Sequence, residues 1–568
     1  MQRLFGRFRV AVPITASLLT VAVAGCGPAR LLLAPPSVPP PKGESCTTRG
    51  PAYAPSAVTR GAPDPARDWG AYNKTLAGNR YSPLAQITRS NVASLRRMCA
   101  FQIDEPVNMQ SSLIEIGGTL YFTTLEDTYA IDASDCRLRW RHTYQLARQP
   151  PFDPNKVNRG VGWLNGVLFR GANDGRLYAL DAGTGEELWN VAIGDPETGE
   201  TFPAAPVAWN GRVYIGNAGG DYFGVTGRMM AFDAKTGGRL WSADLVPTVG
   251  PASQTWPPET AVHPKAGAAT WTSYTIDTGH GLLYVPTGNA APDFLKKVRP
   301  GRNLYTYSVV ALDLEDGTLR RSRQLVTSDN FHDWDVAAPP ELIDTPDGRR
   351  VVAAGKDGYL YVMDRNTLRL LYKTPVTTME NTDAPLTRHG THYCPGVDGG
   401  VEWNGPAYSP RTDAFYVNAI DWCITVAIGS SAELEGRKGL PWTGAKERLH
   451  PFGVQDEKRS GWVTAVNAAD GAVRWRYHAR APLVSGITAT AGDVVFTGDI
   501  AGDFMAFDAG SGRLLWSHNT GQPIGGGVIS YAVNGKQYIA VASGMQSKIG
   551  WQVDSTPAKI VVFALPQK

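Results

Sequence analysis

One pattern recurs seven times along this chain and restricts its fold more than any other feature. It is a small residue, an apolar residue and an Asp or Asn, then a turn, with a large residue eight positions after the acid. The first three copies are Ala130-Ile131-Asp132 with Trp140, Ala179-Leu180-Asp181 with Trp189, and Ala231-Phe232-Asp233 with Trp241. The others are Ala311-Leu312-Asp313 with Arg321, Val362-Met363-Asp364 with Tyr372, Ala465-Val466-Asn467 with Trp475, and Ala506-Phe507-Asp508 with Trp516. Each acid follows a short alternating stretch such as Arg176-Leu177-Tyr178-Ala179-Leu180, and precedes a turn such as Gly183-Thr184-Gly185. The unit therefore reads as strand, tight turn, strand. The acid can accept backbone N–H groups within the turn, and the Trp offers a flat surface for a neighbouring unit.

A single sheet of this kind cannot bury both faces, so the units must stack on one another. The acids are spaced by 49, 52, 80, 51, 103 and 41 residues. The gap of 103 is about twice 51 and predicts an unmarked unit around Ala407–Ile420. Seven plus one gives eight, which suits a closed all-β ring, an eight-bladed β-propeller. Sixty-two Gly, 41 Pro and 16 Trp fit this reading, since almost no segment keeps helical periodicity free of Gly or Pro. The formal charge of +3 is small against 55 basic and 52 acidic side chains, so no nucleic acid or other polyanion is expected as a partner.

The first residues read as a targeting segment. Arg3, Arg7 and Arg9 form a basic region ahead of an apolar stretch from Val10 to Ala24, too short for a comfortable membrane span. The stretch ends in Val23-Ala24-Gly25-Cys26, which resembles a bacterial lipobox. That resemblance implies a signal peptide over 1–25, cleavage before Cys26 and diacylation of its sulfur, an anchor that holds stably. Residue 27 is Gly and not the Asp of inner-membrane retention, so the resemblance favours the outer membrane. Residues 26–65, Pro-rich from Pro35 to about Pro63, read as a tether, and 66–568 as the propeller.

Export places the other cysteines in an oxidising compartment. With Cys26 lipidated, five remain, and the reading pairs Cys99 with Cys136 and Cys394 with Cys423, leaving Cys46 free. Spacing alone does not exclude other connectivities.

The repeats resemble the tryptophan-docking motifs of the eight-bladed quinoprotein (pyrroloquinoline quinone-dependent) alcohol dehydrogenases. The resemblance covers about residues 66–568, from Asn79-Arg80-Tyr81-Ser82-Pro83-Leu84 to Gly535-Lys536-Gln537-Tyr538-Ile539-Ala540. The repeat alone is less specific, because the cofactor-free lipoprotein of the outer-membrane barrel-assembly machinery is similar in repeat and anchor. The side chains of the site must discriminate between the two.

Quinone-linked alcohol oxidation needs a cation to polarise the quinone carbonyl, a carboxylate to take the alcohol proton and a basic group beside the reduced ring. The resemblance implies that Asp335, in His332-Asp333-Trp334-Asp335, is the catalytic base and a metal ligand. This segment is one residue shorter than the family's usual form, which makes Asp333 an alternative. It further implies that Asn289 and Asp221 bind the metal, Lys356 stands by the quinone carbonyls, Trp271 is the floor of the quinone and Arg159 meets a cofactor carboxylate. An all-oxygen donor set suits Ca²⁺. Ala337 occupies the position where the lanthanide-using relatives resemble one another in having an extra Asp, which also favours Ca²⁺. The activity implied is hydride transfer from an alcohol to the quinone, with electrons passing on to a separate acceptor, a cytochrome c or a quinone.

The chain departs from the family's pattern at several positions. Asp153 and Pro154 stand where many relatives have adjacent cysteines. Met109, Pro203, Ala218 and Glu402 replace polar groups usual around the cofactor, although Asn404 lies near Glu402. The sequence has no Cys-x-x-Cys-His haem motif, phosphate loop, dinucleotide-binding Gly motif or His-Glu-x-x-His zinc motif.

Overall fold

The protein was described from a computed structural model. The described residues are 46–49 and 62–568, apart from 147, 328–331, 447–452, 548–550, 554–556 and 567–568. They fall within one compact unit, Gly43–Lys568. The signal segment, Cys26 and most of the tether lie outside them.

Eight sheets follow one another among the described residues, antiparallel except where Tyr81–Ser82 pairs in parallel with Thr488–Thr490. In seven of the blades the strands run outward from the axis in chain order, as in Gly162–Leu164, Val167–Gly171, Arg176–Asp181 and Glu187–Ala192. The repeat sits on the third and fourth strands. Asp181 accepts the N–H groups of Gly183 and Thr184 (both 2.9 Å), and Asp508 accepts those of Gly510 and Ser511 (2.9 and 3.0 Å). The Trp indoles then reach the next blade. Trp140 donates to the Ala182 carbonyl (3.1 Å), Trp241 to that of Leu314 (3.1 Å) and Trp475 to that of Ala509 (3.0 Å).

A second docking donor carried no signal in the repeat. Tyr121, Tyr214 and Tyr416, on the second strands, donate to these same three carbonyls at 3.0, 3.3 and 3.0 Å. In the blade whose Trp position holds Arg321, Tyr284 alone makes the contact, to the Arg365 carbonyl.

The count of eight holds, but the unit expected at Ala407–Ile420 is not a separate blade. Ala407–Ser409 and Ala414–Val426 are inner strands of the blade that carries Asn467. The 103-residue gap is filled by long connections and by the extended hairpin of Ala414–Val426 with Val454–Asn467. The eighth sheet closes the ring. It joins Val528–Val533, Lys536–Ser543 and Pro557–Ala564 to Arg96–Pro106 from the other end of the sequence. It escaped the repeat search because its acid position is Ala564 and its Trp position is Cys99, which pairs with Val562 across the same bulge.

Cys99 is disulfide-bonded to Cys136, which occupies the turn position taken by Gly185 in the next blade and has φ +63°. At the closing junction a disulfide thus stands where Trp packs on Gly elsewhere, and Tyr531 adds a hydrogen bond to the Ala133 carbonyl (2.6 Å). Cys394–Cys423 is the second disulfide. Within the expected tether, Cys46–Arg49 forms a strand paired with Leu138–Thr143.

Candidate functional site

The connections entering the first strand of each blade, and those leaving its second strand, converge at one end of the ring. Gln110, Arg159, Trp271, Asp335 and Glu402 precede first strands of five blades, while Asp221, Asn289 and Lys356 follow second strands of three. All line one cavity of about 300 Å³. Every site residue singled out from the sequence is therefore brought to this hollow.

Asp335 is its best-anchored carboxylate. Its Oδ1 accepts the backbone N–H of Asn289 (2.6 Å), and its Oδ2 accepts the Trp271 indole N–H (2.9 Å). The Lys356 ammonium lies 3.4 Å from both Asp335 and Asp333. Gly288 makes this approach possible, since a Cβ there would lie 2.8 Å from Asp335 Oδ1. The Arg159 guanidinium lies 4.6 Å from the Trp271 ring centroid and donates to Gln110 (2.9 Å) and to the Trp271 carbonyl (3.2 Å).

Burial penalises the Lys356 ammonium, but Asp333, Asp335, Glu402 and Asp221 around it outweigh that and hold its pKa well above the ordinary range. Burial, then the charge of Asp335, pushes the Asp221 carboxyl up to about 6. Burial pushes Glu402 up to about 8 against the pull of Lys356. Such shifts gather where a site is shaped for charge-changing chemistry.

Three groups stand differently from the sequence reading. Asn404 spends its amide on the Val484 and Gly525 carbonyls (2.7 and 3.2 Å), and from that segment Glu402 and Trp403 line the hollow instead. Asp333 has φ +60°, a conformation Asp tolerates, which is how the shortened segment brings two carboxylates to Lys356. Asp293 was missed. It lies four residues after Asn289, and it, Asp221 and Asp333 each place a carboxylate oxygen within 4.8 Å of the others. Its sequence signal is slight, a lone acid in the run Ala290-Ala291-Pro292-Asp293-Phe294-Leu295.

The donor types fit a hard cation and a planar anionic quinone. Oxygen ligands gather on one side, a Trp face and two cations lie beside them, and buried oxygens of Asp293 and Asp333 have no hydrogen-bond partner. Pro203 and Ala218 line the hollow in place of polar groups, which leaves Arg159 and Lys356 as its cations for an anionic ligand.

Comparison with known proteins agrees with this geometry. The profile of the glucose/ethanol/alcohol dehydrogenase β-propeller domain matches residues 69–383, and that of outer membrane protein assembly factor BamB matches the shorter stretch 459–562. The chain is 31% identical to an alcohol dehydrogenase (quinone) dehydrogenase subunit of Gluconacetobacter polyoxogenes, over 89% of this chain and 77% of that protein. It is 29% identical to the quinoprotein alcohol dehydrogenase PedH of Pseudomonas putida, over 83% and 84% of the two chains. Among solved structures, a europium-containing methanol dehydrogenase superposes with a TM-score of 0.77 at 27% identity, covering 88% of this chain and 98% of the other. The quinohemoprotein alcohol dehydrogenase of Comamonas testosteroni gives 0.77 at 26% identity, over 90% and 82%. With its eight-bladed ring and the site at its axis, the chain belongs to the quinoprotein alcohol dehydrogenases, enzymes whose characteristic cofactor is pyrroloquinoline quinone.

Proposed function

We propose that this protein oxidises a primary or secondary alcohol in the axial hollow, with Asp335 as the base that takes the hydroxyl proton. The observation that carries this reading is the anchoring of Asp335. Two N–H donors fix the orientation of its carboxylate, and the Lys356 ammonium lies 3.4 Å from it. Pyrroloquinoline quinone, when bound, supplies the two-electron acceptor for the hydride. Trp271 would support its plane, Arg159 would meet one of its carboxylates, and Lys356 would face its carbonyl oxygens and favour the reduced form. Asp221, Asn289 and Asp335 would hold a hard cation against it, and their oxygen donors suit Ca²⁺. The electrons would leave to a separate cytochrome c or quinone.

The lipobox supports export and anchoring through Cys26, with the ring facing the periplasm from the outer membrane. Among the described residues no helix is long and apolar enough to cross a membrane. Replacing Cys26 with Ser should release the protein from the membrane fraction, and continued membrane association would contradict the anchor.

The activity is tested by reconstituting purified protein with quinone and Ca²⁺ and screening alcohols by dye reduction. Asp335→Asn should lower kcat by about 10²–10⁴-fold, the range of a lost general base, with the circular dichroism spectrum preserved. An unchanged rate would remove Asp335 from the chemistry.

A further inference from the structure

The hollow holds more carboxylate than the assigned groups use. Asp293 is 0% exposed, and neither of its oxygens accepts a hydrogen bond. Its neighbour Arg299 donates to the Pro292 carbonyl (2.8 Å), the Asp293 backbone carbonyl (2.8 Å) and the Asn303 side chain (3.1 Å). That guanidinium holds the turn by backbone and amide carbonyls, and the Asp293 carboxylate beside it has no hydrogen-bond donor. Asp333 is also buried, and its Oδ1 also lacks a partner, while its Oδ2 meets Lys356. One carboxylate oxygen each of Asp293, Asp333 and Asp221 lie mutually within 4.8 Å, close enough to share one ion. Asp335 differs from them, because both its oxygens are already taken by N–H donors.

Unpaired buried carboxylates are costly, and their mutual repulsion adds to that cost. Two arrangements relieve it: a shared proton or a bound cation. With Asp221, Asp293, Asp333 and Asp335 ionised, four negative charges meet two positive ones, the Lys356 ammonium and the Arg299 guanidinium, and one shared proton still leaves one charge unbalanced. We propose that Asp221, Asp293 and Asp333 form a cation seat of their own, beside the Asp221–Asn289–Asp335 group, for a hard, highly charged, oxygen-ligated ion. Asp293 and Asp333 are its distinguishing ligands. The seat bears on which ion the hollow prefers, because Ala337 brings no carboxylate where the lanthanide-using relatives have an extra Asp, whereas these side chains supply extra carboxylates from other positions.

The test uses the full-length chain without quinone or alcohol, so it stands apart from the oxidation reading. Tb³⁺ is the probe, excited through the indoles. Trp442 donates its backbone N–H to the Asp221 carbonyl (2.7 Å), and Trp271 bonds to Asp335. Asp293→Asn and Asp333→Asn should each weaken Tb³⁺ binding on the order of tenfold or more, and should shrink the rise in Tm that the ion produces. The control is Asp398→Asn, which removes a half-buried carboxylate of the same hollow that already accepts a hydrogen bond from Gln455. It should change the affinity by less than about threefold, as a charge acting only from a distance. Wild-type affinity in Asp293→Asn overturns the seat, as does an equal loss in Asp398→Asn. A higher Tm of Asp293→Asn in ion-free buffer, with affinity untouched, identifies a shared proton and also overturns it. None of these outcomes depends on whether the chain turns over an alcohol.

Discussion

At the scale of single residues, the site was legible through the short motifs that resemble those of the quinoprotein alcohol dehydrogenases. Asp335, Asn289, Asp221, Lys356, Trp271 and Arg159 all sit just before a first strand or just after a second one, and the ring carries those places to its axis. Asp293 was not legible, because its role depends on a loop fold that no periodicity reports. Buried acids also lie outside the hollow. Glu115, on the first strand of its blade, is held by the Gly118 N–H (2.7 Å), yet burial pushes its pKa from 4.5 up to about 8. The folded state therefore binds a proton that the unfolded chain has lost between about pH 4.5 and 8. The stability contributed by this neutral acid is complete below pH 4.5 and lost as pH rises through 8. Glu115→Gln should flatten the fall of Tm across that window, and an unaltered slope would place the pH sensitivity elsewhere.

At the scale of elements, the repeat conveyed the strand–turn–strand unit, but showed only half of its docking device. The acid and the Trp stand eight residues apart and are easily seen. The Tyr that shares the same carbonyl lies on the preceding strand, at a distance that varies with loop length, and so it gives no fixed spacing. The geometry is tight where the Trp lands. Gly185 has φ +75°, and a Cβ there would sit 2.5 Å from the Trp140 ring, inside any allowed contact. Gly185→Ala should cost about 1–3 kcal/mol from overpacking and backbone strain, read as a lower chemical or thermal midpoint. No loss of stability would mean that the indole does not set the spacing between blades.

At the scale of the whole molecule, closure depends on a sheet built from both ends of the described chain, sealed by Cys99–Cys136 where four other junctions pack Trp on Gly. The double variant Cys99→Ala/Cys136→Ala should lose about 3–4 kcal/mol by the chain-entropy account. Cys99→Trp with Cys136→Gly should recover part of that loss by restoring the docking pair. A rebuilt pair no more stable than the double alanine would show that the junction needs the covalent link itself. The ring matters because it brings loops from separate blades to one axis, and the central claim is that they meet there to hold a quinone against a cation. Titrating the purified chain with pyrroloquinoline quinone, with and without Ca²⁺ or Tb³⁺, and following quenching of its indole fluorescence tests this directly. The account predicts saturation at one quinone per chain that needs the cation, is reversed by a chelator and is lost in Trp271→Leu; quenching that never saturates, or that ignores both the cation and Trp271, would contradict it.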